Sequence, residues 1–158
     1  MPSTTDQLIA LVRELAERHQ AFIDVLGPGA GNDRANAFTA QLIREARNTL
    51  GVNYAEFRYS EDQSARYDFY IPEERTVIEV AWGLPNPNSE FEKDIFKALI
   101  GREHGHEVDR LVLISRPGAV QKCRQPGRQA VIRWVESNHR LEVQVVEVDG
   151  QRRMRQRR

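Results

Sequence analysis

The chain has 158 residues, 40% of them hydrophobic, and a formal net charge of zero; this is a globular composition of one-domain size rather than a disordered one. No apolar run approaches the ~20 residues of a membrane span, and the amphipathic start lacks the order of a signal peptide, so no membrane partner is expected. The charge is uneven: the ending "QRRMRQRR" holds five arginines and no acid, which leaves residues 1–150 five charges negative.

Residues 4–26 read as a helix, with Leu8, Leu11, Val12, Leu15, Phe22 and Leu26 at helical spacing and His19 on the same stripe. "GPGAGND" is a loop without the Gly-Lys-Ser/Thr ending of a phosphate loop, so no nucleotide cofactor is expected. A second helix over 34–50 turns Phe38, Leu42, Ala46 and Thr49 inward, and Glu45 falls on the same side. An inward carboxylate needs a partner: either a salt bridge at the stripe's edge, with Arg44 or Arg47 nearby, or a site. Strands follow at 53–60, 66–71 and 76–82, each with alternation and β-branched or aromatic residues.

After the loop "GLPNPNS", Ser89 and Glu92 form a capping box that opens a helix to about 104, with Phe91, Ile95 and Leu99 inward. "DRLVLISR" (109–116) is a near-continuous apolar run, as suits a central strand covered on both faces. "LISRPGAVQKCRQPGRQ" reads as a mobile basic loop, before a helix near 126–138 and a strand near 140–148. The order α-α-β-β-β-α-β-α-β predicts an α/β fold, a mixed sheet with helices on both faces, and a single domain over 1–150.

The hairpin "RYDFYIPEERTVIEVAW" carries the chemistry. If Ile71 pairs with Thr76 across "PEER", Asp68 falls opposite Glu79, and Tyr67, Phe69, Ile71, Ile78, Val80 and Trp82 make an apolar opposite face. Facing like charges destabilise a sheet. Either the pair faces solvent with one member protonated or salt-bridged by Arg66 or Arg75, or it gathers a cation, for which hard oxygen ligands favour Mg²⁺ or Mn²⁺.

These residues and this element order resemble the restriction-endonuclease-like superfamily, the PD-(D/E)xK nucleases, with its αβββαβ core on residues 34–116. The extra N-terminal helix and the C-terminal α-β extension lie outside that core. The resemblance implies Asp68 and Glu79 as catalytic metal carboxylates, and Glu45 as the glutamate some members carry on the first core helix. Tyr67 stands in place of the motif's proline and Ala81 in place of its lysine. Some members supply that lysine from the next helix, and "FEKDIFKAL" offers Lys93 and Lys97, one turn apart on a face turned from Phe91 and Ile95. The implied activity is Mg²⁺-dependent hydrolysis of DNA phosphodiester bonds in a restriction, repair or mobile-element setting, with a homodimer for double-strand cutting. Ala81 favours the alternative: a catalytically silent nuclease-like domain that binds DNA or a protein partner. A purely structural α/β module is the third reading.

Arg152, Arg153, Arg155, Arg157 and Arg158 of the tail, with Lys122 and Arg124, are candidate phosphate contacts; a solubilising terminus is the other reading. "REHGHE" reads as a helix end rather than a metal site. The single Cys123 excludes an internal disulfide, fits a reducing cytoplasm, and has no evident partners for thiol catalysis. Trp82 and Trp134 read as core.

Overall fold

The computed structural model describes residues 1–19, 32–62, 64–87 and 89–149, with the side chains of 32–34 excepted. It is an α/β fold: five strands in the order β1-β2-β3-β4-β5 form one mixed sheet, flanked by helices on both faces. The helices are α1 (Thr4–Arg18), α2 (Asn32–Leu50), α3 (Phe91–Glu103), α4 (Ala119–Cys123) and α5 (Pro126–His139). The strands are β1 (Ala55–Arg58), β2 (Arg66–Ile71), β3 (Thr76–Val80), β4 (Arg110–Ser115) and β5 (Glu142–Glu147). Strands β1, β2 and β3 pair antiparallel, whereas β3, β4 and β5 run parallel through helical crossovers. Among the described residues no helix is long and apolar enough to cross a membrane.

Two cores follow from these layers. On one face, Leu8, Val12 and Leu15 of α1 and Phe38, Leu42 and Ala46 of α2 cover Phe69, Ile71, Ile78, Val112 and Ile114. On the other, Phe91, Ile95 and Ala98 of α3 and Ile132 and Val135 of α5 cover Tyr70, Val77, Leu111 and Leu113. Strand β4 alternates between the two cores, which is why its sequence is apolar almost throughout.

The β2–β3 hairpin has the expected register, with Phe69↔Ile78, Tyr70↔Val77 and Ile71↔Thr76. Its turn is a short 3₁₀ segment, Pro72–Glu74, closed by Arg75 at φ 48°. One expected facing is corrected. Tyr67 does not join Phe69, Val80 and Trp82 on the α1/α2 face; it is buried in the α3 core. The facing changes across Asp68. Ala55 and Phe69, a cross-strand pair, belong to the first core, whereas Phe57 and Tyr67, the next pair, pack in the second. Glu56, between them on β1, is in the left-handed region at φ 52°, so the regular alternation fails here.

Other expectations are also revised. Ser89 does not cap α3, whose N-cap is Glu90 with no side-chain cap bond; instead Ser89 Oγ accepts from Arg128. Thr49 is exposed, and Ile43 is buried in its stead. Trp134 is half-exposed, not core. The stretch read as a mobile basic loop contains α4, whose first turn is held by Glu147 accepting from the Gly118 and Val120 amides. The end of the first predicted helix (residues 20–26), most of the glycine loop and the arginine tail lie outside the described residues.

Candidate functional site

A cleft of about 790 Å³ opens where β2 and β3 part, between the first half of α2, the 81–90 loop and α3. Asp68, Glu79 and Ala81 line its floor, Asn36 and Thr39 one wall, and Asp94 and Lys97 the other. Backbone pairing of β2 with β3 stops at Phe69↔Ile78. Beyond it Asp68 takes over with its side chain, Oδ2 accepting from the Val80 amide at 2.8 Å. That bond fixes the carboxylate at the cleft floor and leaves Oδ1 without a hydrogen bond among the described residues.

Glu79 shares its strand face with Val77 and is turned towards α3. Its side chain is 6% exposed, and Oε1 accepts from Lys97 Nζ at 2.5 Å. Burial raises the Glu79 pKa well above the usual carboxylate value, the charge of Asp68 adds to this, and Lys97 opposes it. Burial works against the charge of Lys97, yet Glu79 beside it outweighs that and raises its pKa. Removing one member of this buried pair would leave the other's charge uncompensated.

Of the two lysines offered by α3, only Lys97 reaches the buried carboxylates Glu79 and Asp94. Lys93 points to solvent and pairs with Glu90 at 3.1 Å, so the shared outward face expected of the two is corrected. The reason is the docking of α3. The Tyr67 hydroxyl donates to the Lys97 carbonyl at 2.8 Å, and Gly101, one turn on, lets the helix lie against that tyrosine. An added Cβ at Gly101 would sit 1.8 Å from the hydroxyl oxygen.

Glu45 does not line the cleft. Its carboxylate meets Arg18 of α1 at 2.6 Å, and that guanidinium lowers its pKa. The partner an inward glutamate needs is therefore a salt bridge, though with neither of the arginines nearest in sequence. A different acid is present in the cleft. Asp94 lines it, 9% exposed, with Lys97 Nζ at 3.9 Å from Oδ1. Burial pushes its pKa up to about 6; Lys97 opposes this, and Asp68 and Glu90 add to it. The signal was in the sequence: position 94 lies three after Phe91 and four before Ala98, on the buried side of α3.

Lys122 belongs to α4 and Arg124 follows it; neither lines the cleft. The five tail arginines lie outside the described residues. His104 is the C-cap of α3 and His106 packs on Phe57 and Tyr70, as befits a helix end. Cys123 is buried, and burial raises its thiol pKa, opposed by Arg128.

The described lining residues include five carboxylates (Glu56, Asp68, Glu79, Glu90 and Asp94) against one ammonium. Such a cleft repels a bare polyanion and attracts cations. Among the described residues no three of His, Cys, Asp and Glu gather as a metal-binding group. Mg²⁺, however, is commonly held by only one or two carboxylates, with waters and substrate phosphates completing its shell. Asp68 and Glu79 fit that limited role, since each has an oxygen free of hydrogen bonds among the described residues. Comparison with family models, with curated proteins and with solved structures finds no match for this chain.

Proposed function

We propose that the chain is a Mg²⁺-dependent endonuclease of restriction-endonuclease-like architecture, hydrolysing DNA phosphodiester bonds in the cytoplasm. One observation carries the reading: an ammonium from α3, that of Lys97, reaches the Glu79 carboxylate in a cleft shared with Asp68, while Ala81 leaves the third-strand position empty of charge. The element order α2-β1-β2-β3-α3-β4, with β3 parallel to β4, is compatible with the αβββαβ core.

Asp68 and Glu79 would hold Mg²⁺ (or Mn²⁺), which supplies charge stabilisation at the attacked phosphate and a more acidic water. Lys97 orients the phosphate or the attacking water and offsets negative charge as it develops. The carboxylate excess makes the divalent cation a condition of DNA binding at this cleft, since without it five acids face the phosphates. The tail arginines add sequence-independent affinity, and a homodimer would place two clefts on two strands.

Cleavage assays on duplex DNA, single-stranded DNA and RNA with Mg²⁺ test this. Lys97→Ala is expected to cost about 10² or more in rate, the scale of losing one transition-state donor. Lys93→Ala should do little, and Glu79→Ala should abolish cleavage. Ala81→Lys, on the face of Glu79, should restore activity to the Lys97→Ala protein. A wild type inert on all three substrates, with an active Ala81→Lys variant, would instead identify a silenced nuclease domain that binds DNA or a protein partner. The close Lys97–Glu79 pair favours that second reading as far as it keeps Glu79 neutralised without a metal.

A further inference from the structure

We infer that Asp94 is the positioning residue that keeps Lys97 inside the cleft when a divalent cation takes Glu79; the inference rests on the metal reading of Asp68 and Glu79. The geometry contains two partners for one ammonium. Lys97 Nζ lies 2.5 Å from Glu79 Oε1 and 3.9 Å from Asp94 Oδ1. The first is a hydrogen-bonded ion pair and the second an ion pair without a hydrogen bond.

A doubly charged ion on Glu79 repels the ammonium that now neutralises it. Lys97 then has two destinations, solvent or another anion. Its side chain is only 16% exposed, so escape to solvent means leaving the packing of the cleft wall. Asp94 lies one helical turn earlier on the same face of α3, within reach of the flexible lysine stem. Its carboxylate makes no hydrogen bond among the described residues, and Lys97 is its one ion-pair partner there. Asp94 is therefore a weakly engaged acceptor that can tighten on Lys97 while Glu79 turns to the metal. Lys97 remains in the cleft, charged and beside the metal carboxylates, where a phosphate would lie. Asp94 need not touch substrate or metal for this.

The chain has three lysines, Lys93, Lys97 and Lys122, so lysine-selective ¹³C,¹⁵N labelling gives a readily assigned spectrum. The experiment records the full chain with and without Mg²⁺, with Mg²⁺ binding followed in parallel by calorimetry. In wild type, the Lys97 side-chain signals should move on Mg²⁺ addition yet stay distinct from those of exposed Lys93, with slow amine-proton exchange. In Asp94→Asn, isosteric but uncharged, Mg²⁺ should still bind, while the Lys97 signals move to the positions and fast exchange of Lys93. Cleavage by Asp94→Asn should lose roughly tenfold in kcat with KM within about twofold, the pattern of an interaction that matters in the transition state. Asp94→Glu, which keeps the charge, should recover much of both. If Mg²⁺ binds and Lys97 is unmoved, or Asp94→Asn behaves as wild type, the role of Asp94 is overturned. If Mg²⁺ does not bind, the metal reading of the cleft fails, and this role fails with it.

Discussion

Asp94 is a carboxyl whose folded-state pKa, pushed up to about 6, lies above its unfolded value. The folded state then holds its proton more tightly than the unfolded state, so stability falls as pH rises through that window. The expected loss from this residue between about pH 4 and pH 7 is up to ~3 kcal/mol. Asp94→Asn should remove that part of the slope and leave a protein more stable than wild type at pH 7. Urea melts at several pH values would measure it, and an unchanged slope would refute it. At this scale the sequence was half legible. Asp68 and Glu79 stood out because each interrupts an apolar run. Asp94 did not, because it follows Glu92 and Lys93 on what looked like a solvated helix start. Glu45 looked inward by spacing, and it is partly so, but nothing local revealed that its partner would be Arg18 of another helix.

The position of α3 against β2 decides what Lys97 reaches. Gly101 is the closest approach, and its replacement by alanine sets two effects against each other. Alanine gains about 1 kcal/mol of helix propensity. It also places a methyl 1.8 Å from the Tyr67 hydroxyl and 3.0 Å from its ring, in a buried residue with little room to yield. Overpacking costs ~1–3 kcal/mol, so the clash should win and Gly101→Ala should lower the denaturation midpoint. Adding Tyr67→Phe removes the hydroxyl that makes the worst contact, so the double variant should recover stability beyond additivity. The elements themselves were largely legible, since hydrophobic spacing locates long helices and strands. What was lost is instructive. The facing of Tyr67 was missed because constant alternation was assumed across a strand whose partner carries a left-handed residue. The α4 turn was missed because its cap comes from Glu147, far along the chain.

For the whole molecule, the full set of cleft acids from the strands, the 81–90 loop and α3 is gathered only in the folded chain, so a divalent cation held there favours the native over the unfolded state. Mg²⁺ at about 100 times its dissociation constant should add ~2.7 kcal/mol. That amounts to a rise of about 5–10 °C in Tm for a chain of this size. Calorimetry should show the rise in wild type and little of it in Asp68→Asn; no shift at millimolar Mg²⁺ would count against the site. The sheet topology was legible as a mixed α/β arrangement, because a hairpin followed by helical crossovers allows few others. The chemistry was less so, as it depends on how far one side chain extends from a helix. The same topology also has a consequence in time. The β2–β3 pairing is local, closed by a four-residue turn, whereas β4 and β5 join through long crossovers. Loop closure over short separations is cheap, so the hairpin is expected to form ahead of the parallel strands. Stopped-flow refolding should then find that Ile71→Val slows folding, while Val146→Ala mainly speeds unfolding. Asp68 and Glu79 would thus meet in the folding chain before Lys97 arrives beside Glu79, and the rate-limiting barrier should fall when acid or added cations relieve that early repulsion.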